Sequence, residues 1–261
     1  MIRRHYLSIG ILAAASLLLE STLTRLLAVS QYYHFAFLVV SLALLGYGAS
    51  GSILFFLSPK IKFNTQKLNQ FLIWTGIGFT LSVLIAYLII NFLPFDSYSI
   101  AWDRKQVLLF VLYYLALTLP FIISGAATGA CLSTIVGEKH LIYAANLLGS
   151  GLGVCLAPLV MFLAGVPGGV LLSALLGVVV ALLLFGSKKH VIRFRLLMIL
   201  ILVVGIILFS QLTWENLDGK SALGLEISPY KGLAQALRVS GVERIFGRWN
   251  AISRIDLLED A

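Results

Sequence analysis

The chain has 261 residues, 60% of them hydrophobic and only 11% charged, with a net charge of +8 and a mean hydropathy of +1.00. Ordinary soluble domains carry about 25% charged residues, so this composition excludes a water-soluble globule and indicates an integral membrane protein. Among the acidic residues only Glu20, Asp96, Asp103 and Glu138 precede Trp214; the basic excess therefore belongs to the apolar part and its loops, where cytoplasmic loops and anionic headgroups account for it without nucleic acid.

A membrane helix needs about 20 mostly apolar residues. Seven stretches qualify, the sixth of them short of that length: residues 6–29, 35–57, 71–93, 107–136, 141–164, 170–185 and 194–212. The first follows a basic start, "MIRRHY", as a signal peptide would, but its apolar run resumes through "LTRLLAV", so it reads as an uncleaved span. "SPKIKFNTQKLN", "PFDSYSIAWDRK", "GEKH", "GVPGG" and "SKKHVIR" read as connectors. The expected fold is an all-α membrane bundle of about seven transmembrane helices over residues 1–212, followed by a short extended soluble segment over residues 213–261.

Lys and Arg set the orientation. A cytoplasmic N-terminus puts Arg3, Arg4, Lys60, Lys62, Lys67, Lys139, Lys188, Lys189, Arg193 and Arg195 inside and leaves Arg104 and Lys105 outside. Seven crossings then deliver the tail to the outer side. "LLGYGASG" in the second span echoes "LLGSGLG" in the fifth, and spans three apart run in opposite directions, as in a 3+3 inverted repeat.

Gly46, Gly48 and Gly51 spell G-x-G-x-x-G, but a dinucleotide fingerprint follows a strand, and here the triplet lies within a span. With Gly125, Gly129, Gly149 and Gly153 it reads as helix packing, where a missing side chain lets backbones approach. Cys131 and Cys155 lie in apolar runs and read as small buried hydrophobes. His5, His34, His140 and His190 are scattered near span ends, so no metal centre is expected.

Glu20 and Arg25 are more telling, because a charge near the middle of a span costs about 2.5–3.5 kcal/mol on insertion scales. Five residues apart on a helix, they sit about 140° apart around its axis and do not form the favoured i,i+4 pair. Arg25 is near enough to a span end to snorkel. Glu20 is expected to face the bundle interior, with His34, Asn91, Tyr143 and Asn146 as candidate polar neighbours. Pro120 and Pro158 interrupt the fourth and fifth spans and free carbonyls there.

From Trp214 the composition turns soluble, with two extended stretches expected around a "GRWN" turn. "SPYKGLAQAL" and "RWNAISRIDLLED", carrying Tyr230, Lys231, Trp249, Arg254 and Asp256, resemble the opening of the spermidine synthase-like (polyamine aminopropyltransferase-like) domain of bacterial proteins that carry it after a multi-span membrane domain. "ESTLTRLLAV", "YYHFAFLVVSLALLGYGASG" and "IYAANLLGSGLG" are similar to that membrane domain, with Asn146 standing where the family pattern has Asp.

The resemblance implies a bacterial inner-membrane protein and the start of an aminopropyltransferase N-terminal β domain. Family members bind decarboxylated S-adenosylmethionine in a Rossmann-like domain with a glycine-rich loop; no such loop follows Trp214, so no cofactor and no complete active site are expected in this chain. The implied partners are the lipid bilayer and a separate or missing aminopropyltransferase catalytic domain. The alternatives are a small-solute or polyamine transporter and a membrane scaffold for a separately encoded enzyme.

Overall fold

The structure is a computed structural model and describes residues 2–31, 34–57, 64–95, 99–135, 137–185, 189–218 and 231–260. Six long helices run in chain order: α1 (Ile2–Ser30), α2 (Phe35–Leu57), α3 (Thr65–Phe92), α4 (Arg104–Thr134), α5 (Lys139–Leu184) and α6 (Lys189–Leu217). All six are long and apolar enough to cross a membrane. A 3-10 turn (Ser99–Ala101) precedes α4, and a short α7 (Gly232–Ala236) leads into an antiparallel hairpin of β1 (Val242–Trp249) and β2 (Arg254–Asp260). Large apolar side chains such as Leu88, Leu108, Leu148 and Ile206 are more than half exposed, which hydrocarbon tolerates and water does not.

Helix α5 resolves the count of crossings. At 1.5 Å per residue a straight helix of 46 residues would be about 69 Å long, more than twice the hydrocarbon thickness of about 30 Å. It is not straight: Gly165 has φ 66° and ψ −173°, outside the helical region. Met161 lines a cleft with Thr24 and Arg25 of α1, while Gly169 packs on Thr22. Residues four before and four after Gly165 thus meet the same level of α1, and the chain doubles back there. The two limbs of α5 correspond to the expected fifth and sixth spans, so the described residues hold seven apolar helical segments. "GVPGG" is therefore a bend centred on one glycine rather than a loop. Pro167 follows it and takes the first turn of the second limb, where a missing N–H is tolerated.

The limbs pack by close backbone approach. Gly149 and Gly153 lie directly against the backbones of Gly10 and Ala14, so α1 and the first limb run in parallel contact. Gly76 of α3 and Gly177 of the second limb each face the other's carbonyl oxygen, at 2.7 and 2.8 Å from where a Cβ would stand. Thr80 Oγ1 donates to Ala174 O at 2.8 Å, and Asn69 Nδ2 donates to Leu184 O at 3.1 Å. On the other side Gly46 packs on Phe121, Gly125 on Tyr47 and Ser50, and Gly129 on Leu54, joining α2 to α4.

This scheme has an internal symmetry. Exchanging α1 with α4, α2 with the first limb of α5, and α3 with the second limb turns the α2–α4 contact into the α5–α1 contact and returns the Gly76–Gly177 crossing to itself. That is the pairing an inverted repeat produces, and it joins the two glycine clusters that echo in the sequence. Helix α6 lies outside the scheme, with Gly205 against Leu175 of the second limb.

The start of α1, the end of α2, the start of α3, the end of α4 and both outer ends of α5 share one end of the bundle. Ser30, Leu93, the Gly165 bend, the end of α6 and the tail share the other. Helix α6 runs past residue 212 to Leu217, which brings Asn216 to the bend. In the tail the turn falls one step later than expected: Gly247, Arg248 and Trp249 belong to β1, and the reversal is at Asn250, whose Oδ1 accepts from the N–H groups of Ile252 and Ser253.

A side chain at Gly149 would overlap the Gly10 backbone, whereas Gly48 has nothing within 4 Å of its Cβ position. Overpacking typically costs about 1–3 kcal/mol and more where backbone must move. Gly149→Leu is therefore expected to abolish the monodisperse peak in detergent size-exclusion chromatography, and Gly48→Leu to leave it intact. Equal behaviour of the two variants would show that α1 and α5 are not held by backbone contact.

Candidate functional site

Two half-open clefts share Leu17 of α1 as a common wall. The first, about 480 Å³, lies toward the tail end of the bundle and is lined by Glu20, Ser21, Thr24 and Arg25 of α1 and by Val154, Ala157, Pro158 and Met161 of α5, with Val40 of α2 opposite. Ala251, in the turn of the tail hairpin, closes its upper edge. The second, about 400 Å³, lies toward the opposite end and is lined by Tyr47, Ser50 and Gly51 of α2, Thr128 of α4, and Asn146 and Ser150 of α5.

Glu20 is half-buried and Arg25 is exposed, and both line the cleft. Neither enters an ion pair among the described residues; the two found join Asp256 to Arg244 and Arg254 in the tail. Thr24 Oγ1 donates to the Glu20 carbonyl at 2.7 Å. Pro158 has no N–H, so the carbonyl of Val154 lacks its helical donor, and Val154 lines the same cleft. On the side facing α2, the Tyr47 hydroxyl hydrogen-bonds Ser16 Oγ at 2.7 Å, about one turn before Glu20 on α1.

Of the five intramembrane residues singled out in the sequence, Glu20 and Arg25 share the first cleft and Asn146 lines the second, 3.5 Å from Thr128 Oγ1. Tyr143 is 57% exposed, on α5 near the opposite end from the tail, and His34 stands just before α2 with its ring against Phe35. Asn91 donates to Tyr87 O within α3. Sequence reasoning did not single out Tyr47, Ser50, Thr128 or Ser150, because small hydroxyl residues in a span read as packing. Among the described residues no group of His, Cys, Asp and Glu is arranged to hold a metal ion.

The tail is joined to the bundle at the Gly165 bend. The bend and Pro167 deprive the carbonyls of Phe162 and Leu163 of their helical donors. Asn216 Nδ2 supplies them, at 3.0 and 3.3 Å, while Asn216 Oδ1 accepts from the Trp249 N–H at 2.8 Å. Trp249 is 1% exposed, and its indole lies 2.9 Å from where a Gly165 Cβ would stand. One amide therefore closes a helix end and holds β1 to it. Arg254 Nε and Nη2 donate to Asp256 Oδ1 at 3.1 and 3.0 Å, and its guanidinium lies over the Trp249 ring. Lys231 Nζ donates to Ala28 O at 2.9 Å, capping an orphan carbonyl in the last turn of α1. Trp249, Arg254 and Asp256 thus converge, Lys231 makes a second attachment, and Tyr230 lies outside the described residues.

Burial holds the Lys231 ammonium below the ordinary lysine value. An undocked tail then binds that proton more tightly than a docked one. Docking is thus expected to strengthen as pH rises from the lowered value to the ordinary lysine value, and to be independent of pH below that window as far as this group is concerned. A fluorescence distance reporter between the tail and α1 should show this rise in the native chain and a flat response in Lys231→Met. An identical rise in both would assign the effect to another group.

Known protein families, curated proteins and solved structures contain no match to this chain.

Proposed function

We propose that the chain is the membrane domain of a spermidine synthase-like protein and acts as a rigid platform that holds its β-hairpin tail at one membrane face. The observation that carries this reading is the Asn216 clasp: a single buried amide is shared by the α5 bend and β1, and Trp249 fills the notch at Gly165. A tail that served only as a tether would have no need of a buried anchor. Two strands alone are marginally stable in water, and this hairpin leaves Ile255 and Leu257 more than half exposed on β2, the face on which an aminopropyltransferase-like unit would build.

The test is Asn216→Ala. It leaves the Phe162 and Leu163 carbonyls and the Trp249 N–H unpaired, at roughly 1–3 kcal/mol for each buried group. Hydrogen exchange of β1 amides should accelerate far more than that of α1 to α4. Wild-type β1 amides that exchange as fast as free peptide would sink the platform reading.

The positive-inside rule orients the platform. Outside the spans, and leaving the tail's own residues aside, Arg3, Arg4, Lys67 and Lys139 lie at the end of the bundle away from the tail, against Arg104 and Lys105 at the tail end. On this reading, in a bacterial inner membrane, the N-terminus is cytoplasmic and the hairpin outside, away from cytosolic cofactors, so a unit built on it would work on other chemistry. A reporter enzyme active only outside the cytoplasm, fused after Ala261, is expected to be active. Activity of a cytosolic reporter in its place would reverse the orientation.

A second reading, a small-solute transporter, is favoured by one arrangement: the exchangeable packing of α1–α3 with α4–α5, and clefts between the paired elements. Transporters place their sites at such repeat interfaces.

A further inference from the structure

We propose that the cleft between α1 and α5 is a binding site for a small zwitterion, with its ammonium on Glu20 and its anionic end on Arg25. The inference goes beyond the platform reading and does not depend on it, since it concerns binding within the bundle and not the attachment of the tail.

The charges of the cleft select the ligand. Glu20 and Arg25 line one cavity without pairing to each other or to another described residue. Their separation along α1, five residues or about 7.5 Å of rise, with about 140° of rotation, keeps them from closing on one another. A carboxylate held within a span is costly until a positive charge meets it. A simple amine would answer Glu20 but meet the Arg25 guanidinium in the same cavity, and a simple anion would answer Arg25 but meet Glu20. A molecule with both charges gains twice and is repelled by neither.

The neutral groups of the cleft agree with an ammonium at the deeper end. Val154 lines the cavity, and Pro158 leaves the Val154 carbonyl without its helical donor; Ser21 and Thr24 stand beside Glu20. An ammonium has three donors and no acceptor, which suits a carboxylate with an orphan carbonyl near it. Leu17, Val40, Ala157 and Met161 make the rest of the wall apolar, fit for a short methylene spacer.

Depth argues against a phospholipid headgroup. Counting along α1 from Ser30 at the tail end, Arg25 comes first and Glu20 lies one and a half turns deeper. In a zwitterionic phospholipid the phosphate is nearer the acyl chains than the ammonium is, the reverse of this order. The cleft also has a protein edge: Ala251 of the hairpin turn stands at its rim, so a ligand there would lie beneath the tail.

The experiment uses the full chain in phosphatidylcholine nanodiscs, titrated calorimetrically with ε-aminocaproate, n-hexylamine and caproate. These probes carry both charges, the ammonium alone and the carboxylate alone on one chain length. The expected result is saturable binding of ε-aminocaproate, with each single-charge probe weaker by roughly tenfold or more. Glu20→Gln should weaken ε-aminocaproate by a similar factor, and Arg25→Gln should erase its advantage over n-hexylamine. Val40→Trp, which fills the cleft from an exposed position of α2, should abolish binding and guards against a Glu20 variant that does not fold. No saturable binding, equal binding of the three probes, n-hexylamine as the tightest, or unchanged binding in a folded Glu20→Gln or Val40→Trp protein would each overturn the proposal. Competition by phosphatidylethanolamine added to the discs would overturn it as well, reassigning the site to a lipid headgroup. Exchange of the β1 amides is read separately, so failure here leaves the platform reading standing.

Discussion

A carbonyl freed inside a membrane protein has no water to turn to, and the Gly165 bend frees two of them at once. This requirement organises the tail end of the molecule. The chain must reverse between the limbs of α5 so that both can pack on α1 and α3, and the reversal uses a glycine at positive φ followed by a proline. The carbonyls of Phe162 and Leu163 then need a donor from elsewhere, and Asn216 brings one from the last turn of α6. Because an amide has an acceptor as well as donors, satisfying the bend leaves an oxygen facing outward, and the Trp249 N–H takes it. Attachment of the tail follows from the hydrogen-bond needs of a membrane hairpin.

The bundle beneath is held by a second constraint, the lack of a hydrophobic drive between helices in lipid. Contact must come from close packing, and the Gly10–Gly149 and Gly76–Gly177 approaches provide it where a side chain would prevent it. The same glycine clusters hold residues with no such duty. Gly48 and Gly151 face open space, so the echo between the second and fifth spans serves packing on one face of each helix and leaves bare backbone on the other.

The spans were legible in the sequence because hydrocarbon imposes length and composition directly, and Glu20 stood out because an intramembrane carboxylate is costly. What was hidden depended on partners distant in sequence. Nothing in "GVPGG" distinguishes a loop from a bend of one residue, since the outcome rests on Asn216, some fifty positions on. Trp249 belongs to a motif that reads as part of a soluble domain, yet its indole is buried against a membrane helix. His34 and Tyr143 were reasonable neighbours for Glu20 by residue type, and their places at span ends put them elsewhere. Tyr47 carries no signal in the sequence because a tyrosine in an apolar helix reads as bulk; its role rests on the hydrogen bond to Ser16, 31 residues away.

The pairing of α1 with the first limb of α5 also bears on how the protein is made. Gly10 meets Gly149, so the two faces of this contact leave the ribosome far apart in time. At about 5–20 residues per second the interval is roughly seven to thirty seconds. During it α1 has entered the bilayer with its glycine face uncovered and with Glu20 lacking the wall that α5 will supply. Insertion and assembly are thus separate events for this helix, and α1 must be held in the membrane by its own hydrophobicity or by the insertion machinery until its partner arrives.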